Sequence, residues 1–396
     1  MESLRELFKV GSGPSSSHTI GPEKASEIIK KEYPNKSYVV TLFGSLALTG
    51  KGHLTDYAIN KVLGEENTKV LFDIETKTNH PNTLKFDIYD NEKLIASRTF
   101  ISIGGGSIIE EGESVPESKC IYPLTTFNQI EEYIKEKDMT LPEYVYEVEG
   151  DDIKDFLFGI YKVMESSLLR GLEKEGVIPG GLKVKRKAKT ILESDIDEVD
   201  KDKKQIIAYA YAVAEENASG GKVVTAPTCG SSGVIPACLY YLRQKRSLSY
   251  DKVIDALAVA GLIGNIVKEN ASISGAYAGC QAEIGTACSM AAAMIAYLDG
   301  LKTYKIESAA EIAMEHHLGL TCDPVNCLVQ IPCIERNSVA ALRAFDAATL
   351  AALPIYPQKL SFDSVVKTML NTGKDINEDY KETSKGGLAK TDLRGN

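Results

Sequence analysis

The sequence predicts an α+β domain followed by a larger all-helical one, and three observations carry that reading. The chain has 396 residues, enough for two or three domains at roughly 100–200 residues each. Alternating, β-branched runs are confined to the first 110 residues. After residue 150, Ala and Leu dominate and apolar residues recur at helical spacing. The predicted division is 1–125 for the α+β domain, 126–150 for a linker and 151–396 for the all-α domain.

In chain order, Met1–Phe8 reads as a short helix before a Gly/Ser/Pro loop, and Glu23–Lys31 is helical by periodicity. Tyr38–Leu48 is an apolar run with the composition of a strand. Asp56–Leu63 suits a helix. Val70–Thr76, Leu84–Tyr89 and Leu94–Ile103 follow as strands, broken at Asn79–Asn82 and Asp90–Lys93. The glycines at 104–106 should end the last strand. Residues 111–150 are polar, with Pro116, Pro123 and Pro142, and read as a connection with one helix at Thr126–Lys137. Beyond it, Asp151–Glu175, Lys204–Asn217, Val234–Lys245, Tyr250–Asn270, Gln281–Asp299, Ser308–Leu318 and Asn337–Ala352 are the clearest helices. Pro-Gly-Gly at 179–181 and Ala-Ser-Gly-Gly at 218–221 separate them.

Composition narrows the function classes. Hydrophobic residues are 43% and charged residues 25%, which excludes long disorder or a fibre. With 45 Lys plus Arg against 55 Asp plus Glu, the formal charge is −10, so neither nucleic acid nor an anionic membrane is an expected partner. The N-terminus shows no basic region followed by an apolar one, and the apolar stretches Val253–Val267 and Ile284–Leu298 are too short to span a bilayer. A cytoplasmic location is expected, where the eight cysteines would stay reduced.

Several motifs fail. Gly11-Ser-Gly-Pro-Ser-Ser lacks the third glycine and the preceding strand of a dinucleotide fingerprint. Gly44 to Gly52 has one residue too many for a P-loop and no Ser or Thr after Lys51. His316 and His317 are adjacent, so on a helix their rings diverge by ~100°. There is no Cys-x-x-Cys pair.

Three cysteines call for chemistry. Cys280, Cys322 and Cys333 each lie at a glycine- or proline-marked turn between helices. Such turns can aim thiolates at one point. A cubane iron–sulfur cluster normally takes four thiolates; if the protein supplies three, one iron keeps an open position and acts as a Lewis acid. The competing reading is that buried cysteines fill core gaps.

Longer motifs decide between these readings. They are Gly11-Ser-Gly-Pro-Ser-Ser-Ser-His-Thr-Ile-Gly-Pro22, Gly44-Ser-Leu-Ala-Leu-Thr-Gly-Lys-Gly-His-Leu-Thr-Asp56, Ser102-Ile-Gly-Gly-Gly106, Gly176-Val-Ile-Pro-Gly-Gly-Leu-Lys183 and Thr225-Ala-Pro-Thr-Cys-Gly230. With the Cys-x41-Cys-x10-Cys spacing, they make the chain resemble the iron–sulfur-dependent L-serine dehydratases (L-serine ammonia-lyases) in their single-chain form, over essentially the whole length. The resemblance implies a [4Fe–4S] cluster on Cys280, Cys322 and Cys333 in a catalytic alpha-type domain. It implies a beta-type N-terminal domain like the allosteric substrate-binding domain of some dehydrogenases. The implied reaction takes L-serine, bound through its hydroxyl, to aminoacrylate and thence to pyruvate and ammonia. An oxygen-sensitive enzyme follows, and family and base rate together imply a homodimer.

Site residues follow from resemblance and residue chemistry together. Ser15, Ser16, Ser17 and Thr19 offer hydroxyls and N–H groups for a carboxylate before a helix, although one of them could merely cap it. His18 and His53 sit in glycine-flanked loops and could exchange a proton; His53 is the favoured catalytic group. Asp56 either orients His53 or begins the next helix. Lys51 either holds an anion or is solvated. Asn270, Ser272 and Ser274 could contact substrate or form a helix C-cap and turn. Cys229, Cys238 and Cys288 read as core or turn residues. Glu335 and Arg336 read as an internal ion pair, and Lys183, Lys185 and Arg186 as a solvated face. Asn326-Cys327 replaces an expected Gly-Gly, Tyr277 replaces an expected acidic residue, and the chain ends without the cysteine that caps the cluster in some relatives. Cys327 is therefore a candidate to occupy the open iron at rest. The alternatives are the same scaffold acting on L-cysteine or L-threonine, a pyridoxal-phosphate lyase, and a non-enzymatic iron–sulfur sensor.

Overall fold

The computed structural model describes residues 1–113, 120–195, 200–354, 359–383 and 385–393; the readings for Pro116 and the last three residues lie outside these. An N-terminal α/β region precedes a mostly helical one. Met1, Leu4, Leu7 and Phe8 are fully buried, yet only Leu4–Glu6 forms a helical turn, not the helix expected over Met1–Phe8. These side chains enter the helical core, and the Met1 ammonium donates to the Tyr122 carbonyl at 2.9 Å. The chain then forms β1 (Val10–Ser12), α1 (Gly21–Glu32), β2 (Ser37–Phe43), α2 (Gly44–Thr49), α3 (Thr55–Leu63), β3 (Thr68–Asp73), β4 (Thr83–Asp90), β5 (Lys93–Gly104) and β6 (Ser107–Glu110).

Alternation decides the sheet. Tyr38, Val40 and Leu42 of β2 and Leu84, Phe86 and Ile88 of β4 point to one face, where Ala25 and Ile29 of α1 and Ile59 and Leu63 of α3 cover them. Strand order is β3-β2-β4-β5-β6, with β2 and β3 parallel and the remaining pairs antiparallel. The strand expected to run to Leu48 stops at Phe43, because Gly44 turns the chain at φ +52° against the Pro81 carbonyl, where a Cβ would sit 2.6 Å away. The glycines after β5 make a tight turn that returns the chain as β6, which the sequence reading lacked.

The helical region contains α4 (Phe127–Lys137), α5 (Leu141–Glu149), α6 (Asp152–Glu173), α7 (Ala188–Glu193), α8 (Lys201–Ala218), β7 (Lys222–Val224), α9 (Val234–Arg246), α10 (Tyr250–Asn270), α11 (Gly275–Ala278), α12 (Thr286–Leu298), α13 (Thr303–Glu315), α14 (Cys333–Ala352) and α15 (Phe362–Asp375). Apolar residues surround α10 and α12 on all sides, so both are core helices, and α12 packs against α9, α10, α13 and α14. Among the described residues no helix is long and apolar enough to cross a membrane. The helix expected over Gln281–Asp299 begins as one widened turn, Gln281–Gly285, before α12. Arg186 is not solvated: its guanidinium is buried against Glu216 and Ser219. β1 pairs antiparallel with β7, Val10 opposite Val224. That pairing fixes the following serine-rich loop between sheet and helices.

Candidate active site

Residues 13–20 leave β1 and enter α1 through a loop that folds on its own hydroxyls. The Ser15 hydroxyl accepts from the His18 N–H at 3.2 Å, and the Ser15 N–H donates to Thr19 Oγ1 at 3.1 Å. Thr19 then donates to the His53 carbonyl at 2.7 Å, and Thr55 donates to the His18 carbonyl at 2.6 Å. These cross-links hold the two histidines side by side, ring centroids 4.6 Å apart. His18 is clamped by two hydroxyls, Ser17 at Nδ1 and Ser45 at Nε2, each 2.9 Å away.

Spacing explains the other ring. Ser45 and Thr49 are four residues apart on one face of α2, and the His53 N–H in the turn that follows donates to the Thr49 carbonyl at 3.1 Å, which keeps its ring beside them. Thr49 Oγ1 donates to the Ser45 carbonyl at 2.9 Å, so toward His53 Nδ1, 3.2 Å away, it can only accept. The proton of His53 therefore sits on Nδ1, and Nε2 carries a bare lone pair. Burial pushes the His53 pKa down to about 4. Burial, then the nearby His53, lowers that of His18. Both rings are neutral at neutral pH.

Opposite them, three segments of the helical region bring Cys280, Cys322 and Cys333 to the same cavity of about 520 Å³. Gly275 marks how close the approach is: a Cβ there would lie 2.5 Å from the Glu283 carboxylate and 3.2 Å from Cys322 Sγ. Burial is the largest cause raising all three thiol pKa values, Cys280 to about 12, and the thiols also oppose one another's ionisation. Bare thiolates are thus disfavoured here, whereas a bound cationic centre would stabilise them. Arg336 lies beside Cys280, donating to the Thr321 carbonyl at 2.7 Å and pairing with Asp323 at 3.2 Å rather than with Glu335. Among the described residues no three His, Cys, Asp or Glu side chains converge tightly enough for a single metal ion. The three thiols share a cavity wall instead, a donor set that suits a multi-iron cluster, which is larger than one ion.

Ser15, Ser16, Ser17, His18, His53 and Ser274 thus line one cavity with the three cysteines. Thr19 is buried behind it. Lys51 leans over the Phe72 ring, 5.3 Å from its centroid, and lies outside the lining, as does Asp56, whose carboxylate accepts from the Tyr57 N–H at 2.9 Å. Asn270 donates to the Thr125 and Ile266 carbonyls at 2.7 and 2.9 Å, closing the end of α10, and Ser272 accepts from the Ser274 N–H at 3.1 Å. Neither lines the cavity, and nor does Cys327. Cys238 and Cys288 donate to the Ala341 and Ala340 carbonyls within the helical core.

The sequence reading passed over other lining residues. Ser45 and Thr49 were legible from their spacing to His53. Glu283 carries a carboxylate that accepts from Thr228 at 2.6 Å and whose pKa burial raises; it lies three residues after Cys280. His80 and Asn82 come from a loop read only as a break, Cys229 was read as a core or turn residue, and Lys381 and Glu382 come from a segment given no element. Burial, then the Glu283 charge, raises the Glu382 pKa to about 8.

With the geometry in place, comparison with known proteins gives a consistent result. The family model described as serine dehydratase beta chain matches residues 3–70, and that for serine dehydratase alpha chain matches residues 68–389. The chain is 41% identical to an L-serine dehydratase of Helicobacter pylori over 98% of both chains. It is 38% identical to L-serine dehydratase 1 of Escherichia coli, over 98% of this chain and 99% of that one. It is also 38% identical to an L-serine dehydratase of Streptomyces coelicolor over 98% of both.

Proposed function

Because the chain belongs to the serine dehydratase family, we propose that it converts L-serine to pyruvate and ammonia, using a [4Fe–4S] cluster held by Cys280, Cys322 and Cys333. Elimination of water from serine leaves 2-aminoacrylate. Its imine tautomer takes up water to release ammonia and pyruvate, so atoms balance with no oxidant. The observation that carries the proposal is the meeting, in one cavity, of the three thiols with the serine-rich loop and the His18–His53 pair. The cluster, when bound, supplies an open iron that acts as a Lewis acid on the substrate hydroxyl.

The chain's own residues do the rest. The thiols of Cys280, Cys322 and Cys333 hold the group, and Arg336 offsets their negative charge. Ser15, Ser16 and Ser17 offer hydroxyls to the substrate carboxylate across the cavity. His53 Nε2, bare and kept neutral by burial, is the base for the α-proton; its Nδ1–H stays anchored on Thr49. His18, fixed by Ser17 and Ser45, backs that ring and limits its movement.

Anaerobically purified enzyme, assayed for pyruvate on L-serine, L-threonine and L-cysteine, tests this reading. Turnover of L-serine with the highest kcat/KM is expected. No pyruvate from L-serine in a preparation containing iron and sulfide would overturn it.

A further inference from the structure

We propose that Gln281 is a positioning residue for the cluster: its buried side-chain amide locks the Cys280 turn to the loop that leads into Cys322, and so fixes two of the three thiols relative to each other. The inference rests on the serine dehydratase reading and its proposed cluster, and adds a residue that lies outside the cavity lining.

Three observations carry it. First, the three cysteines differ in how their backbones are supported. Cys333 opens α14, a helix of 20 residues. Cys280 lies between α11, which has four residues, and the widened turn Gln281–Gly285, and Cys322 lies in a loop between α13 and α14. A long helix therefore holds Cys333, whereas Cys280 and Cys322 depend on what their turns touch. Second, Gln281 is fully buried and bonds only to backbone groups. Its Nε2 donates to the Ala278 carbonyl at 2.8 Å and to the Met369 carbonyl of α15 at 3.2 Å, and its Oε1 accepts from the Gly319 N–H at 2.9 Å. Carbonyls only accept and an N–H only donates, so these partners fix which end of the amide is which. The Gln281 N–H adds a bond to the Leu320 carbonyl at 3.2 Å. Three segments, α11, α15 and residues 319–320, thus meet on the residue next to Cys280. Third, glycines let the same segments close around it. A Cβ on Gly279 would lie 2.7 Å from the Leu320 carbonyl oxygen, and one on Gly373 would lie 2.5 Å from the Ala278 Cβ. The far side of Cys322 is tied separately: its N–H donates to the Tyr380 carbonyl at 2.8 Å, and its carbonyl accepts from the Glu382 N–H at 2.7 Å. Gln281 supplies the side-chain link between the two turns, and groups that orient metal ligands govern how firmly a site holds its metal.

The test follows cluster loss from anaerobic holoenzyme, wild type beside Gln281→Met, Gln281→Asn and Asn265→Leu. Methionine keeps the volume and removes every amide bond. Asparagine keeps an amide that is one carbon too short to span both loops. Asn265 is the comparator, a buried amide that donates to the Glu2 carbonyl at 2.7 Å, outside the cysteine turns. The visible absorbance of the cluster is recorded over time after excess EDTA is added without oxygen. Q281M is expected to lose it roughly 10-fold or more faster than wild type, Q281N several-fold faster, and N265L within about twofold of wild type. Where Q281M does not fold, Q281N decides. Wild-type decay in either folded Gln281 variant overturns the proposal, and so does N265L decaying as fast as they do. The functional reading fails separately: a wild type that holds iron and sulfide but forms no pyruvate from L-serine overturns that reading alone, and the decay rates still decide the role of Gln281. A wild type that takes up no cluster overturns both.

Discussion

At the scale of the residue, the site turns on where protons sit. His53 holds its proton on Nδ1 because Thr49 has spent its own on the Ser45 carbonyl, and burial keeps the ring neutral. His53→Ala is therefore expected to lower kcat on L-serine by about 10²–10⁴, the range for loss of a general base, with iron content unchanged. Steady-state kinetics and iron analysis check this. The serine loop has a different signature. Ser16→Ala removes a hydroxyl offered to the ground state and the transition state alike, so KM should rise several-fold with kcat nearly constant. The residue types were legible in the sequence, because Ser15 to His18 and His53 stand in recognisable motifs. Their partners were not. Asp56 follows His53 closely in sequence, but its carboxylate turns to its own helix. Glu382 is remote in sequence, yet its carboxyl group faces the ring 3.7 Å away.

At the scale of the element, periodicity found the long helices because it reports the face that is buried, and α10 was placed to the residue. It lost elements whose ends are coded by special residues. Pro142 lies in the stretch read as a connection, yet it occupies the first turn of α5, where the capping box of Thr140 and Glu143 starts the helix. Helix α13 carries a second lesson. Glu307, Glu311 and Glu315 follow at four-residue spacing, and Glu311 is buried. Burial, then the Glu315 charge, raises the Glu311 pKa to about 7. The folded state thus holds a proton that the unfolded chain releases near its ordinary value. The stabilising contribution is complete below that ordinary value and is lost as pH rises toward 7. Glu311→Gln should leave the thermal midpoint nearly unchanged at pH 5 and raise it by about 3 °C or more at pH 8, read by scanning calorimetry.

At the scale of the whole molecule, the N-terminal segment ties the two regions together. Leu4 and Phe8 are buried in the helical core, and β1 pairs with β7, so the serine loop that follows is held against the cysteine wall. Phe8→Ala is expected to cost about 3–5 kcal/mol of stability, measured by denaturant unfolding. The fold class was legible because the pattern changes from alternating to helical between residues 110 and 150. The cavity was not, because its walls come from segments near 15, 45, 80, 228, 280, 322 and 382 that meet only after the sheet and helices have packed. The central claim is that three thiols on one wall hold the group that activates serine. The most direct measurement is iron, sulfide and pyruvate formation in anaerobic wild type beside Cys280→Ala, Cys322→Ala and Cys333→Ala. The account predicts iron and sulfide near four each per chain in the wild type, and joint loss of cluster and activity in every variant. A folded variant that keeps wild-type pyruvate formation, or an active wild type without iron, would contradict it.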